Sequence, residues 1–161
     1  MMNTRYLFNA KYRQLGWMVF VPATILGILT LILEWEPALL DVKVLGFFID
    51  EVFGVEKLVG FTENNILNEI LGILVILSGL LVAFSRERDE DELITKIRLE
   101  SLVWATYWNY GILILAFLFL YDLTFYWVMV FNMFTILYLF IIRFTLAIRK
   151  LKASASHEEH D

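Results

Sequence analysis

The residues best placed to do chemistry are the polar ones inside otherwise apolar runs. Glu69 sits beside Asn68 one turn into an apolar segment, Asn109 and Asn132 lie deeper in two others, and Arg143 closes the last. An ionisable or amide side chain in lipid marks either a functional site or helix-packing glue. Glu69, if shielded, would bind a cation or a proton, whereas at headgroup depth it would simply be solvated. Arg143 is expected to snorkel to the phosphates, and Glu34 to reach the opposite interface. Asn109 is eight residues into its span and Asn132 seven into the next, entered from the opposite side. At 1.5 Å per residue this places them at depths roughly 8 Å apart. Each is therefore expected to bond elsewhere, through a backbone carbonyl, Thr106, Thr135, Tyr107 or another helix.

A second group is the acidic run Asp89, Glu90, Asp91 and Glu92. It lacks the glycine and distal glutamate of a calcium loop. Four acids before a helical pattern suit the positive end of a helix dipole, and Glu92 to Lys96 is the favourable i,i+4 order. The run is expected to start a long helix in the cytoplasm and to offer a docking surface to a cytoplasmic partner. His157 and His160 with Glu158 and Glu159 are too weak a set for a metal centre. They are not HExxH and sit on a polar tail. No nucleophile stands beside a base, no phosphate loop is present, and there is no cysteine. The reading is of no catalytic, metal or cofactor residues, and of a chain that is not an enzyme.

The elements carrying these residues follow from composition. The chain has 161 residues, of which 60% are hydrophobic and 19% charged, and its mean hydropathy is +0.69. Soluble domains run near 45–50% apolar and 25% charged. A net charge of −5 argues against a nucleic-acid partner. Four stretches reach the roughly 20 apolar residues that a bilayer crossing needs: about 16–35 (with Pro22 inside), 66–84, 101–121 and 125–148. The first is long for a signal core and lacks a small-x-small cleavage site, so it reads as a retained span. The fold class is an all-α integral membrane protein, with four transmembrane helices in a bundle. Residues 1–152 form the membrane domain and 153–161 a disordered polar tail.

Outside the spans, residues 1–15 place Arg5, Asn9 and Arg13 on one side and Phe8, Tyr12 and Leu15 on another, which predicts an N-terminal interfacial helix. Residues 36–65 are apolar with interspersed acids, which predicts an amphipathic extracytoplasmic segment, either interfacial helices or a lid. Gly46, Gly54 and Gly60 are its natural breakpoints. Of the 13 lysines and arginines, 11 flank one side and only Lys43 and Lys57 the other, so both termini are expected to be cytoplasmic. Trp17 and Trp104 mark inner ends, and Trp35, Tyr121, Tyr126 and Trp127 outer ones. Ala23-xxx-Gly27, Gly79-xxx-Ala83 and the stripe Ser101, Ala105, Asn109 and Ala116 are small-residue faces for packing or homo-oligomerisation.

Several stretches within about residues 60–145 carry a resemblance: ENN at 63–65, DEDEL at 89–93 ahead of KIRLESL at 96–102, and Phe131-Asn132-Met133-Phe134. They resemble a family of uncharacterised small four-span bacterial membrane proteins with no assigned activity. The resemblance implies the bacterial inner membrane. It also implies a regulator-type cytoplasmic partner, since such proteins are often encoded beside small helix-turn-helix regulators. It supplies no functional residues. The expected role is a non-enzymatic accessory or regulatory membrane component acting through protein–protein contacts. The alternative is a subunit of an oligomeric channel or small-solute transporter with an acidic outer mouth.

Overall fold

The computed structural model describes residues 6–49, 57–87 and 91–158, and the side chains of 47–49, 57–58 and 156–158 are left aside. Four long helices dominate: α1 (Lys11–Leu33), α2 (Leu67–Phe84), α3 (Glu92–Phe119) and α4 (Asp122–Glu158). Each is long and apolar enough to cross a membrane. Strands β1 (Asp41–Ile49) and β2 (Lys57–Asn65) lie between α1 and α2. The chain divides into two compact units, Val21–Val75 and Met1–Phe20 with Ile76–Asp161.

Three sequence expectations change. The separate interfacial helix is absent from the described residues. Asn9 ends the extended lead-in, because its Oδ1 accepts from the Lys11 N–H at 3.2 Å and its carbonyl from the Tyr12 N–H at 3.0 Å. Residues from Lys11 on therefore belong to α1. Upstream, Phe8 pairs as a β-bridge with Ser85.

Among its described residues, the segment 36–65 forms an antiparallel pair of strands in place of the expected amphipathic helices. Its register runs from Asp41 opposite Asn65 to Ile49 opposite Lys57. β-branched and aromatic residues favour a pleated surface, and Val42, Val44, Val59, Phe61 and Thr62 supply them. Gly46 and Gly60 are not breakpoints, since they face each other across the ladder. Gly54 lies outside the described residues. The tail expected to be disordered instead continues α4 through Glu158.

In the unit Val21–Val75, α1 ends where Glu34 turns left-handed at φ 48°, and the Trp35 N–H donates to the Thr30 carbonyl at 3.2 Å. This is the 6→1 bond of a Schellman stop. At the hairpin base, Asn65 Nδ2 donates to the Pro37 carbonyl at 2.9 Å and to Asp41 Oδ1 at 2.7 Å. Its Oδ1 accepts from the Leu67 N–H at 3.2 Å, at the start of α2.

In the other unit, α3 and α4 pack together across the two residues between Phe119 and Asp122, which makes an antiparallel hairpin. The stripe on α3 is used as expected, with Ser101, Ala105, Asn109 and Ala116 all buried. Phe140 and Phe144, each 1% exposed, are the largest buried side chains. Phe144 stacks on Phe140 at 5.7 Å and Phe140 on Phe84 at 5.5 Å.

The glycine faces divide. A Cβ at Gly79 would meet Leu137 and Phe20, but one at Gly27 or Gly111 meets nothing within 4 Å. Glycine is about 1 kcal/mol worse than alanine inside a helix. Gly27→Ala and Gly111→Ala are thus each expected to raise stability by about 0.5–1 kcal/mol, read by thermal unfolding in detergent. A loss at Gly27 would show that its open face is occupied by another chain.

Candidate functional site

Asn109 and Asn132 do meet. Asn109 Nδ2 donates to Asn132 Oδ1 at 3.4 Å, and Asn132 Nδ2 donates to Asn109 Oδ1 at 3.3 Å. The expected 8 Å offset came from counting from two different span edges. Counted from the shared turn, Asn109 is ten residues before Phe119 and Asn132 ten after Asp122, so an antiparallel hairpin sets them at one height.

Glu69 and Asn68 are both exposed at the start of α2. Glu69 Oε1 accepts from Asn64 Nδ2 at 2.7 Å, so it ties strand β2 to the helix that follows. Arg143 is half-buried, with its guanidinium carbon 4.7 Å from the centre of the Trp104 ring, a cation–π contact.

Of the acidic run, Asp89 and Glu90 lie outside the described residues. Asp91 is the N-cap of α3, with extended backbone and a side chain that accepts from the Ile94 N–H at 2.8 Å. Glu92 is exposed in the first turn, and the helix continues unbroken into the apolar segment, as expected for a long α3. His157 and Glu158 fall within α4, but their side chains, with residues 159–161, lie outside the description. Among the described residues no group of three or more His, Cys, Asp or Glu gathers.

Among the described residues, a buried polar cluster gathers that sequence reasoning missed. Glu87 is 7% exposed and forms ion pairs with Arg13 and, at 3.3 Å, with Lys152. Two residues before it, Ser85 is fully buried, its hydroxyl donating to the Leu81 carbonyl at 2.5 Å. The Ser85 carbonyl accepts from Arg98 Nη2 at 3.3 Å. The guanidinium carbons of Arg98 and Arg13 lie 5.0 and 5.9 Å from the centre of the Phe144 ring. The Phe8 N–H donates to the Phe84 carbonyl at 2.9 Å, and the Arg86 N–H to the Phe8 carbonyl at 3.0 Å.

One buried carboxylate therefore draws the start of α1, the α2–α3 connection and the far end of α4 together, while Arg98 adds α3. Burying a carboxylate is tolerable only with paired charge, and two cations supply it here. Nothing in the local pattern sets Glu87 apart from its charged neighbours Arg86 and Arg88. Its partners lie 74 residues before it and 65 after it along the chain.

No protein-family model, no curated protein and no solved structure matches the chain.

Proposed function

We propose that the chain is a small four-span protein of a bacterial inner membrane, with both termini cytoplasmic. In this reading it is non-enzymatic and acts through protein–protein contacts as an accessory or regulatory component. Four helices of sufficient length and apolarity support the membrane reading, and the 11-to-2 division of basic residues supports the orientation. The sequence resemblance adds the bacterial setting and a regulator-type partner.

The observation that carries the contact role is where the polar side chains go. Deep in the apolar helices Asn109 bonds Asn132, and the Thr106 and Thr135 hydroxyls donate to carbonyls of their own helices, while Glu69 at the start of α2 bonds Asn64 of strand β2. The start of α3 instead turns outward. Glu92, Lys96 and Leu99 recur along one helix face and are all exposed, with Leu93 and Glu100 beside them. This mix of charge and leucine is suited to a protein partner.

The test is affinity purification from native membranes in mild detergent, comparing the wild type with a variant carrying Asp89→Lys, Glu90→Lys and Glu92→Lys. Asp91 is kept because loss of an N-cap costs about 1 kcal/mol. The expected result is a stoichiometric cytoplasmic partner that the variant loses while remaining in the membrane fraction. Retention of every partner by the variant would overturn this surface. A partner-free oligomer that passes ions in liposomes would move the reading to a pore.

A further inference from the structure

The asparagine pair leaves hydrogen-bonding capacity unspent. A neutral amide has two N–H donors and two carbonyl lone pairs. Among the described residues each asparagine uses one donor and one acceptor, both on the other. Asn109 is 6% exposed, so its remaining groups are enclosed. Asn132 is half-buried between exposed Phe131 and Met133, and its second N–H and second lone pair are the ones that a neighbour can reach. Ten residues from the turn is about 15 Å along the axis, which is half of a 30 Å hydrocarbon core. At that depth no water is available to satisfy them.

We propose that two copies of this chain associate in the bilayer through Asn132, with the two-fold axis along the membrane normal. The inference rests on the reading of α3 and α4 as membrane-spanning. The occupant follows from amide chemistry. What is missing is a group that both donates and accepts at the same depth, and a second Asn132 is such a group. A two-fold axis along the normal keeps both asparagines at one height and lets each donate to the other, as an isologous interface requires. One turn toward the hairpin end, Val128 lines an apolar groove of about 350 Å³ with Ile112, Leu115, Ala116, Phe119 and Leu120. The groove gives the partner's α4 an apolar seat beside the amide.

The chain has no cysteine, so single-cysteine variants report cleanly. Met129→Cys and Ile136→Cys lie one turn either side of Asn132, and Tyr107→Cys, 74% exposed on α3, is the control. Each full-length variant is reconstituted in liposomes at high lipid excess, floated with the vesicles, and oxidised. The expected result is covalent dimers at 129 and 136 and monomers at 107. Adding Asn132→Leu is expected to lower the dimer yield about ten-fold, the scale of two interhelical hydrogen bonds, while Thr106→Val, whose hydroxyl donates to the Leu102 carbonyl of its own helix, leaves it unchanged.

Floating protein that stays monomeric at 129 and 136 overturns the dimer alone. Equal losses for Asn132→Leu and Thr106→Val, or no loss for Asn132→Leu, overturn the role of Asn132. Protein that fails to float overturns the membrane reading and the dimer with it. The cysteine pattern in the presence of Asn132 decides the geometry even if Asn132→Leu folds poorly.

Discussion

Replacing Glu87 with alanine is expected to cost about 3 kcal/mol of stability, the scale on which removal of one partner destabilises a buried ion pair. The carboxylate side chain is 6% exposed, and that of Arg13 only 18%. Without Glu87, the enclosed Arg13 guanidinium loses this buried carboxylate. Lys152 behaves differently, because its side chain is 64% exposed and swings to water when released. Lys152→Ala is accordingly expected to cost less than about 1 kcal/mol. The measurement is thermal or denaturant unfolding in one detergent, with amide exchange at residues 6–13 and 145–152 as the local readout. Those segments are expected to lose protection first in Glu87→Ala. A Glu87→Ala protein within about 0.5 kcal/mol of wild type would show that the cluster does not hold these segments together.

Gly16→Ala carries the second large effect. In lipid, helices are held by close packing, since moving apolar surface between lipid and protein gains little. At Gly16, α1 comes close to the end of α2. A Cβ there would lie 2.9 Å from Val82 Cγ2, 3.0 Å from the Val82 backbone nitrogen and 3.1 Å from Leu81 Cβ. Two of these atoms are fixed to the α2 backbone and cannot rotate away, so the helices themselves must separate. Overpacking of this kind costs about 1–3 kcal/mol. Gly79→Ala meets only side-chain atoms of Leu137 and Phe20, which can turn aside, and is expected to cost less. The expected stability order is therefore Gly27→Ala, wild type, Gly79→Ala and Gly16→Ala, from most to least stable. Gly16→Ala equal to wild type would contradict the close approach of α1 and α2.

The four helices were legible in the sequence because hydropathy is a local property. The expected 66–84 became Leu67–Phe84; α1 and α3 start earlier than expected and end two residues short, at Leu33 and Phe119, and α4 runs past its apolar stretch at both ends. Those extensions depend on groups that hydropathy does not weigh, such as the Asn9 bonds that start α1 and the Asp91 cap of α3. The hairpin was hidden because apolar residues fall on both faces of β1 and β2. The alternation that betrays a half-buried strand is blurred there, and Gly46 and Gly60 reveal their relation only through the register. The asparagine pair was legible in principle, since equal counts from the turn at 120–121 give one height. Glu87 was not. A buried carboxylate among surface-like charges is defined by Arg13 and Lys152, and no local spacing relates the three.

The most direct test of four spans with cytoplasmic termini is sidedness labelling. Single cysteines at Leu45 in the hairpin, Leu99 at the start of α3 and Lys150 near the end of α4 are placed in the cysteine-free chain and exposed to a membrane-impermeant maleimide in intact spheroplasts. The account predicts labelling at 45 from outside, and at 99 and 150 only after the membrane is opened. Labelling of 45 and 99 from the same side would contradict it.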